Sequence, residues 1–228
     1  MLIEINDLWK IYSMGKVEVE ALKGVSLNFD EGEFVSIAGP SGSGKTTLLN
    51  MIGLIDSYSR GSLTLNNLEI KEQSREELTR LRRELIGFVF QSINLLPVLS
   101  VFENVELPLI ISKKIASKSE RRDRVDYLLE EVGLTDRRKH TPTELSGGQQ
   151  QRVAIARALV TAPRIVIADE PTANLDSDTG DRILRLMKEI NQWEKTTFIF
   201  STHDPEIWQM ADHVVFLHDG NIKSEELR

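Results

Sequence analysis

The run Gly39-Pro40-Ser41-Gly42-Ser43-Gly44-Lys45-Thr46 fits the pattern G-x-x-x-x-G-K-[ST]. Glycines at this spacing let backbone N–H groups wrap closely around phosphate oxygens, where side chains would intrude. Lys45 can reach the β- and γ-phosphates of a nucleotide, and the Thr46 hydroxyl can ligate Mg²⁺. A helix is expected to start at this point, so its positive end also faces the anion; Thr47 in its first turn is grouped with the phosphate-binding residues.

Two further clusters could act on a bound phosphate. Asp169-Glu170 closes the apolar run Ile165-Val166-Ile167-Ala168. In open α/β sheets ligands sit at the carboxyl ends of strands. There Asp169 would hold Mg²⁺ through water, and Glu170 would take a proton from the attacking water. Leu145-Ser146-Gly147-Gly148-Gln149 opens a helix with a hydroxyl and unpaired N–H groups, which makes a second anion site.

These clusters need strands and helices to hold them. Ile3, Ile5 and Leu8 suggest a strand over 2–12; Val25, Leu27 and Phe29 suggest another over 24–30, followed by a turn at Asp30–Glu33. Phe34–Ala38 reads as a strand buried on both faces, 45–55 as a helix, 61–70 as a strand and 86–90 as another. From 95 to 162 the apolar spacing turns helical: Val125, Leu128, Leu129 and Val132 stop at Gly133, and a second helix runs from near Gly148 to about Thr161 before Pro163. Strands return at 165–168 and 197–200 around a helix over 179–192, and a hairpin over 213–222 turns at Asp219-Gly220. Arg121-Arg122 and Arg137-Arg138-Lys139 read as solvated helix faces. The expected fold is α/β: a P-loop NTPase core with a mixed, mostly parallel sheet, an N-terminal antiparallel β subdomain and an inserted helical lobe. A single domain of 228 residues is expected, with core segments 1–91 and 163–228 and the lobe at 92–162.

Composition narrows the partners. A net charge of −7 argues against a nucleic-acid backbone, which calls for a basic face. The absence of cysteine excludes disulfides, thiolate metal sites and thiol nucleophiles. No run approaches the ~18 apolar residues of a membrane span, and the first residues lack the basic start and apolar stretch of a signal peptide. A cytoplasmic location is expected, with any membrane connection made through another chain.

Taken in order, these motifs resemble the nucleotide-binding ATPase subunits of ABC transporters over essentially the whole chain. The resemblance implies ATP and Mg²⁺ as ligands. It implies that Tyr12 stacks on adenine, that Gln91 senses Mg²⁺ and the attacking water, and that His203 contacts the γ-phosphate. It implies that Asn174-Leu175-Asp176 touches an opposing subunit, and that the Ser146–Gln149 loop acts in trans across an ATP-dependent head-to-tail homodimer. The segments Ala21–Val25, Ile86–Gln91, Glu103–Leu109 and Gln149–Ala154 look like the lipoprotein-releasing and macrolide-export branch. That branch implies a separate membrane permease as partner, docked beside Gln91 and the helical lobe. A cell-division-type ATPase that pulls on a permease-like partner without transport is the alternative; DNA-repair and ribosome-associated members fit less well, lacking support from charge or length. Two departures stand out: Ala173 where the branch has Gly, and Ser92-Ile93 after the glutamine.

Overall fold

The computed structural model describes residues 1–15, 17–115, 117–202 and 205–228. Two compact units emerge, one formed by 1–82 with 197–228, the other by 83–196.

The first unit is built from two sheets. β1 (Ile3–Met14) and β2 (Val17–Phe29) form a long antiparallel hairpin, and β1 pairs on its other edge with β4 (Arg60–Leu65), which pairs with the short β5 (Leu68–Glu69). The expected single strand over 61–70 is broken because Asn66 and Asn67 both take positive φ, at 50° and 62°, a conformation that folds the chain into a tight hairpin turn. The first half of β2 escapes the sequence pattern because Val17 to Glu20 are all exposed, so no buried face imposes alternation.

The other sheet of this unit places β3 (Phe34–Ala38) between β8 (Thr197–Ser201) and β9 (His213–His218), all parallel, with β10 (Asn221–Leu227) antiparallel on the edge of β9. Every residue of β3 and β8 is buried, as the uninterrupted apolar runs require. Phe34, Phe198 and Phe200 cluster their rings at centroid separations of 4.6 to 5.8 Å, Phe198 and Phe200 stacked and Phe34 tilted against both, and fill the core. The β9–β10 hairpin turns at Asp219-Gly220 as expected, with φ of 48° and 79°. α1 (Lys45–Ile52) stops at Gly53, short of the expected residue 55. α2 (Arg75–Leu85) was not legible: it buries only Leu81 and is otherwise highly charged.

The second unit sets the parallel pair β6 (Ile86–Val89) and β7 (Ile165–Asp169) with α3 (Val101–Ser112), α4 (Lys118–Glu131), α5 (Gly147–Leu159) and α6 (Ser177–Glu194). Val105 and Leu109 of α3, Val125 and Leu128 of α4 and Val153 of α5 are fully buried. α3 contains Pro108, a helix breaker in sequence terms, yet a reciprocal Ser100–Glu103 capping box starts it firmly. The basic clusters are not simply solvated helix faces. Arg121 reaches Glu106 of α3 at 3.2 Å with both side chains largely covered, and Arg138 lies over the Phe102 ring at 4.7 Å. Their stems pack while their charges pair, which a run of cations in sequence cannot reveal. No helix of the described residues is long and apolar enough to cross a membrane.

His213 pins the edge hairpin of the first unit. Its side chain is buried, with Nε2 3.2 Å from Glu225 on β10 and Nδ1 3.8 Å from Glu33 at the mouth of β3. Glu33 chiefly, and Glu225 after it, favour the imidazolium and raise its pKa above the usual histidine value, although burial opposes them. A histidine raised in the folded state contributes stability that is full below its unfolded value of about 6.5 and fades as pH rises through the folded value. Urea unfolding should therefore show His213→Gln costing more stability at pH ~5.5 than at pH ~8.5; an equal cost at both would remove the charge from this account.

Candidate functional site

The phosphate loop lies wholly in the first unit. β3 delivers the chain to Gly39, and α1 leaves it at Lys45. A Cβ on Gly39 would sit 2.1 Å from the Leu217 carbonyl oxygen, so only glycine lets this strand end lie against β9. Gly44 caps α1 in the left-handed conformation with no side chain of its own, so the cap residue does not compete for the first N–H groups of the helix. Ser43 Oγ is buried there without a hydrogen-bond partner, and the Ser43 carbonyl accepts from Gly220 N at 2.9 Å. Lys45 Nζ donates to the carbonyls of Gly39 at 2.8 Å and Pro40 at 3.0 Å. A fixed cation, a helix N-terminus and a close-fitting backbone thus share one concave turn, the requirement for holding a chain of phosphates. Pro40, Ser41 and Gly42 form its exposed rim.

Tyr12 stands in the same unit, half-buried on β1, with its hydroxyl donating to Asp56 Oδ2 at 3.0 Å. Burial, then the bond to Asp56, pushes the phenol above its usual value, while the Thr47 hydroxyl pulls it the other way.

The second unit carries the other sequence-predicted residues apart from His203. β7 ends at Asp169, and Glu170 follows with φ of 49°, a left-handed conformation uncommon outside glycine and often found at functional sites. β6 pairs in register with β7, Val89 opposite Ala168, so the chain at Gln91 leaves the sheet at the same end as Asp169 and Glu170. Beyond Gln91, Ile93 and Asn94 also take positive φ. The Arg157 guanidinium from α5 holds that bend through the Asn94 carbonyl at 2.7 Å and the Ile93 carbonyl at 3.0 Å. Buried Asn104 closes the rest of it, accepting from Leu96 N and donating to the Leu96 and Leu99 carbonyls. Arg157 and Asn104 support the site unnoticed by sequence reasoning; a lone Arg on a helix and an Asn amid apolar residues give no spacing signal.

Ser146 and Gln149 cap α5 reciprocally: Ser146 Oγ accepts from Gln149 N at 3.3 Å, and Ser146 N donates to Gln149 Oε1 at 2.9 Å. Such a cap contributes about 1 kcal/mol and leaves Ser146 and Gly147 exposed at the helix end. A Cβ on Gly148 would stand 3.0 Å from the Asn174 carbonyl oxygen, so the 174–176 segment packs directly beside the signature turn. Asp176 is the N-cap of α6, accepting from Thr179 N at 3.1 Å, which lowers its pKa. His203 lies outside the described residues. Among the described residues no three His, Cys, Asp or Glu side chains gather into a ready-made metal cage. The oxygen donors at Thr46 and Asp169 are of the hard kind suited to Mg²⁺, which needs few protein ligands when it also bonds phosphate.

Comparison with known proteins gives a consistent picture. The family model described as ABC transporter matches residues 22–173. The ABC transporter ATP-binding protein MJ0796 of Methanocaldococcus jannaschii is 47% identical over 99% of this chain and 97% of its own length. The macrolide export ATP-binding/permease protein MacB of Bdellovibrio bacteriovorus is 48% identical over 99% of this chain, which spans 34% of that longer protein. Among solved structures, a dimeric post-hydrolysis state of the MJ0796 cassette bound to ADP and Pi superposes with a TM-score of 0.95 at 46% identity, covering 99% of this chain and 98% of that one. The α/β P-loop fold expected from sequence is thus observed.

The loop geometry yields a direct expectation. Lys45→Ala should weaken nucleoside triphosphate binding by roughly tenfold or more, the worth of a charge-assisted contact, in titration calorimetry. An unchanged affinity would detach Lys45 from the phosphates.

Proposed function

Because the chain belongs to the ABC transporter family and is an ATP-hydrolysing, ATP-binding cassette, we propose that it powers a separate membrane permease of the lipoprotein-release or macrolide-export type. The observation that carries this reading is the phosphate loop, where Lys45 and the uncapped start of α1 face one glycine-lined turn.

In this reading residues 1–91 and 163–228 form the ATP-binding core and 92–162 the helical lobe. Gly39 to Thr47 hold the triphosphate. Lys45 offsets the charge that spreads over its oxygens as the terminal phosphoryl group departs. Thr46, Asp169 and Gln91 would hold Mg²⁺, which would supply positive charge against the triphosphate. Gln91 orients the attacking water, Glu170 accepts its proton, and His203 contacts the γ-phosphate. The left-handed backbone at Glu170 supports its part, since a strained conformation at a strand end fixes where a carboxylate is carried.

Two copies close head to tail on two ATP molecules, each presenting Ser146, Gly147, Gly148 and Gln149 to the other's phosphate loop. The packing of Gly148 against Asn174 supports this pairing, because it joins the signature turn and Asn174-Leu175-Asp176 into one contact surface. ATP binding drives closure, and hydrolysis with product release reopens it. The permease docks beside Gln91 and the lobe. An open cavity of about 370 Å³ there, lined by Ile93, Leu95, Pro97 and Gln150 among others, supports this, as do Val98, Ile110 and Ile111, which are 50% or more exposed. The chain then works on the cytoplasmic face of the inner membrane, held there by its permease.

Glu170→Gln tests the central step. It should keep ATP binding, slow turnover by roughly 10²–10⁴, the usual contribution of a positioned base, and accumulate an ATP-bound dimer on gel filtration. Phosphate release at near wild-type rate would take the proton-accepting role away from Glu170.

A further inference from the structure

The tyrosine on β1 is tied into a small polar network. Its hydroxyl donates to Asp56 Oδ2 at 3.0 Å, just beyond the end of α1. The other carboxylate oxygen, Asp56 Oδ1, meets Lys10 Nζ at 2.9 Å and accepts from Ser57 N at 2.7 Å. Lys10 is only 7% exposed, and its ammonium stands over the Tyr12 ring, 4.7 Å from the centroid. Two backbone–serine contacts continue the attachment: Ile11 N donates to Ser59 Oγ at 2.9 Å, and Ser59 N donates to the Trp9 carbonyl at 2.7 Å.

The Lys10 ammonium donates to the Ser57 carbonyl and pairs with Asp56, and the ionised carboxylate balances its buried charge. Burial alone would raise the Asp56 carboxyl. The bonds from Lys10, Ser57 and Tyr12, together with the Lys10 charge, hold it below the usual carboxylate range instead. Tyr12 in turn stays protonated and keeps donating. One face of the ring is covered by a cation, so a flat ligand has only the other face available. The ring is also fastened at its hydroxyl to Asp56, just past the end of α1, the helix that leaves the phosphate loop.

We propose that Lys10 and Asp56 are positioning residues: together they lock the Tyr12 ring at a set distance and tilt from the phosphate loop, so that a purine base stacks on its open face while the phosphates occupy the loop. This rests on the reading of Tyr12 as the adenine platform. The network converts a mobile aromatic into a pre-ordered one, which lowers the ordering cost of binding without adding a contact to the ligand.

The test compares ADP with inorganic pyrophosphate, which lacks a base, by titration and competition calorimetry on the full chain. Tyr12→Ala should lose about tenfold in ADP affinity, the worth of one base–aromatic stack, and nothing in pyrophosphate affinity. Tyr12→Phe keeps the ring, is the mildest change available, and should lose roughly threefold for ADP alone as the freed ring is ordered again on binding. Asp56→Asn should match that loss in the wild-type chain and add nothing in the Tyr12→Phe chain. If Tyr12→Ala weakens ADP while Tyr12→Phe binds as wild type, the positioning role is overturned and the stacking role stands. If Tyr12→Ala leaves ADP affinity unchanged, the platform reading itself fails, and the positioning role with it. An equal loss for ADP and pyrophosphate in Tyr12→Phe would mark a general disturbance of the loop and also overturn the positioning role.

Discussion

The close approach of bare backbone to a chain of anions is the constraint on which the first unit is organised. Phosphate oxygens are best met by N–H groups, and those groups are available only where a helix begins and no side chain intervenes. That demand accounts for a glycine at position 39, where a methyl group would collide with the Leu217 carbonyl, and for Gly44 as a left-handed cap that offers no competing side chain. It also accounts for a strand buried on both faces just before the loop. A turn so tightly specified needs a rigid support, and β3, held between β8 and β9, supplies one.

The second unit meets a similar demand by different means. Its signature helix also starts on a small-residue turn, but here Ser146 and Gln149 cap one another, so the helix end is set by side chains and remains exposed. The loop after Gln91 is a non-repetitive stretch with consecutive left-handed residues, and it keeps its shape because Arg157 and Asn104 reach in from α5 and α3 to bond its carbonyls. Burial of Arg157 lowers its pKa, the mark of a cation held in a poorly solvated place for the sake of those bonds. Irregular backbone carrying a functional residue is fastened by polar side chains from regular elements, which is how a loop can hold chemistry without fraying.

Much of this was present in the order of residues. The phosphate loop, the acidic pair and the signature are short-range patterns: their chemistry depends on neighbours within a few positions, so spacing alone shows them. The doubly buried strands β3, β7 and β8 were equally plain, because burial on both faces writes an unbroken apolar run. Elements lacking such a face were not legible. α2 buries one leucine, and Val17–Glu20 at the start of β2 bury nothing. Pro108 disguised α3, whose start is secured by a cap and whose apolar side packs on neighbouring helices.

What the sequence by itself determined, then, is which residues can bind phosphate, activate water and open a helix, since these follow from local backbone freedom and side-chain chemistry. Only the tertiary structure decided which distant residues support them. Asp56 meets Tyr12 from 44 positions away, and Arg157 meets Asn94 from 63. Such pairings depend on how sheets and helices bring remote segments together, and a hydrogen bond between them leaves no periodicity in the chain. The basic runs make the same point: Arg121 and Arg138 look like solvated charge until the fold sets a carboxylate and an aromatic ring against them.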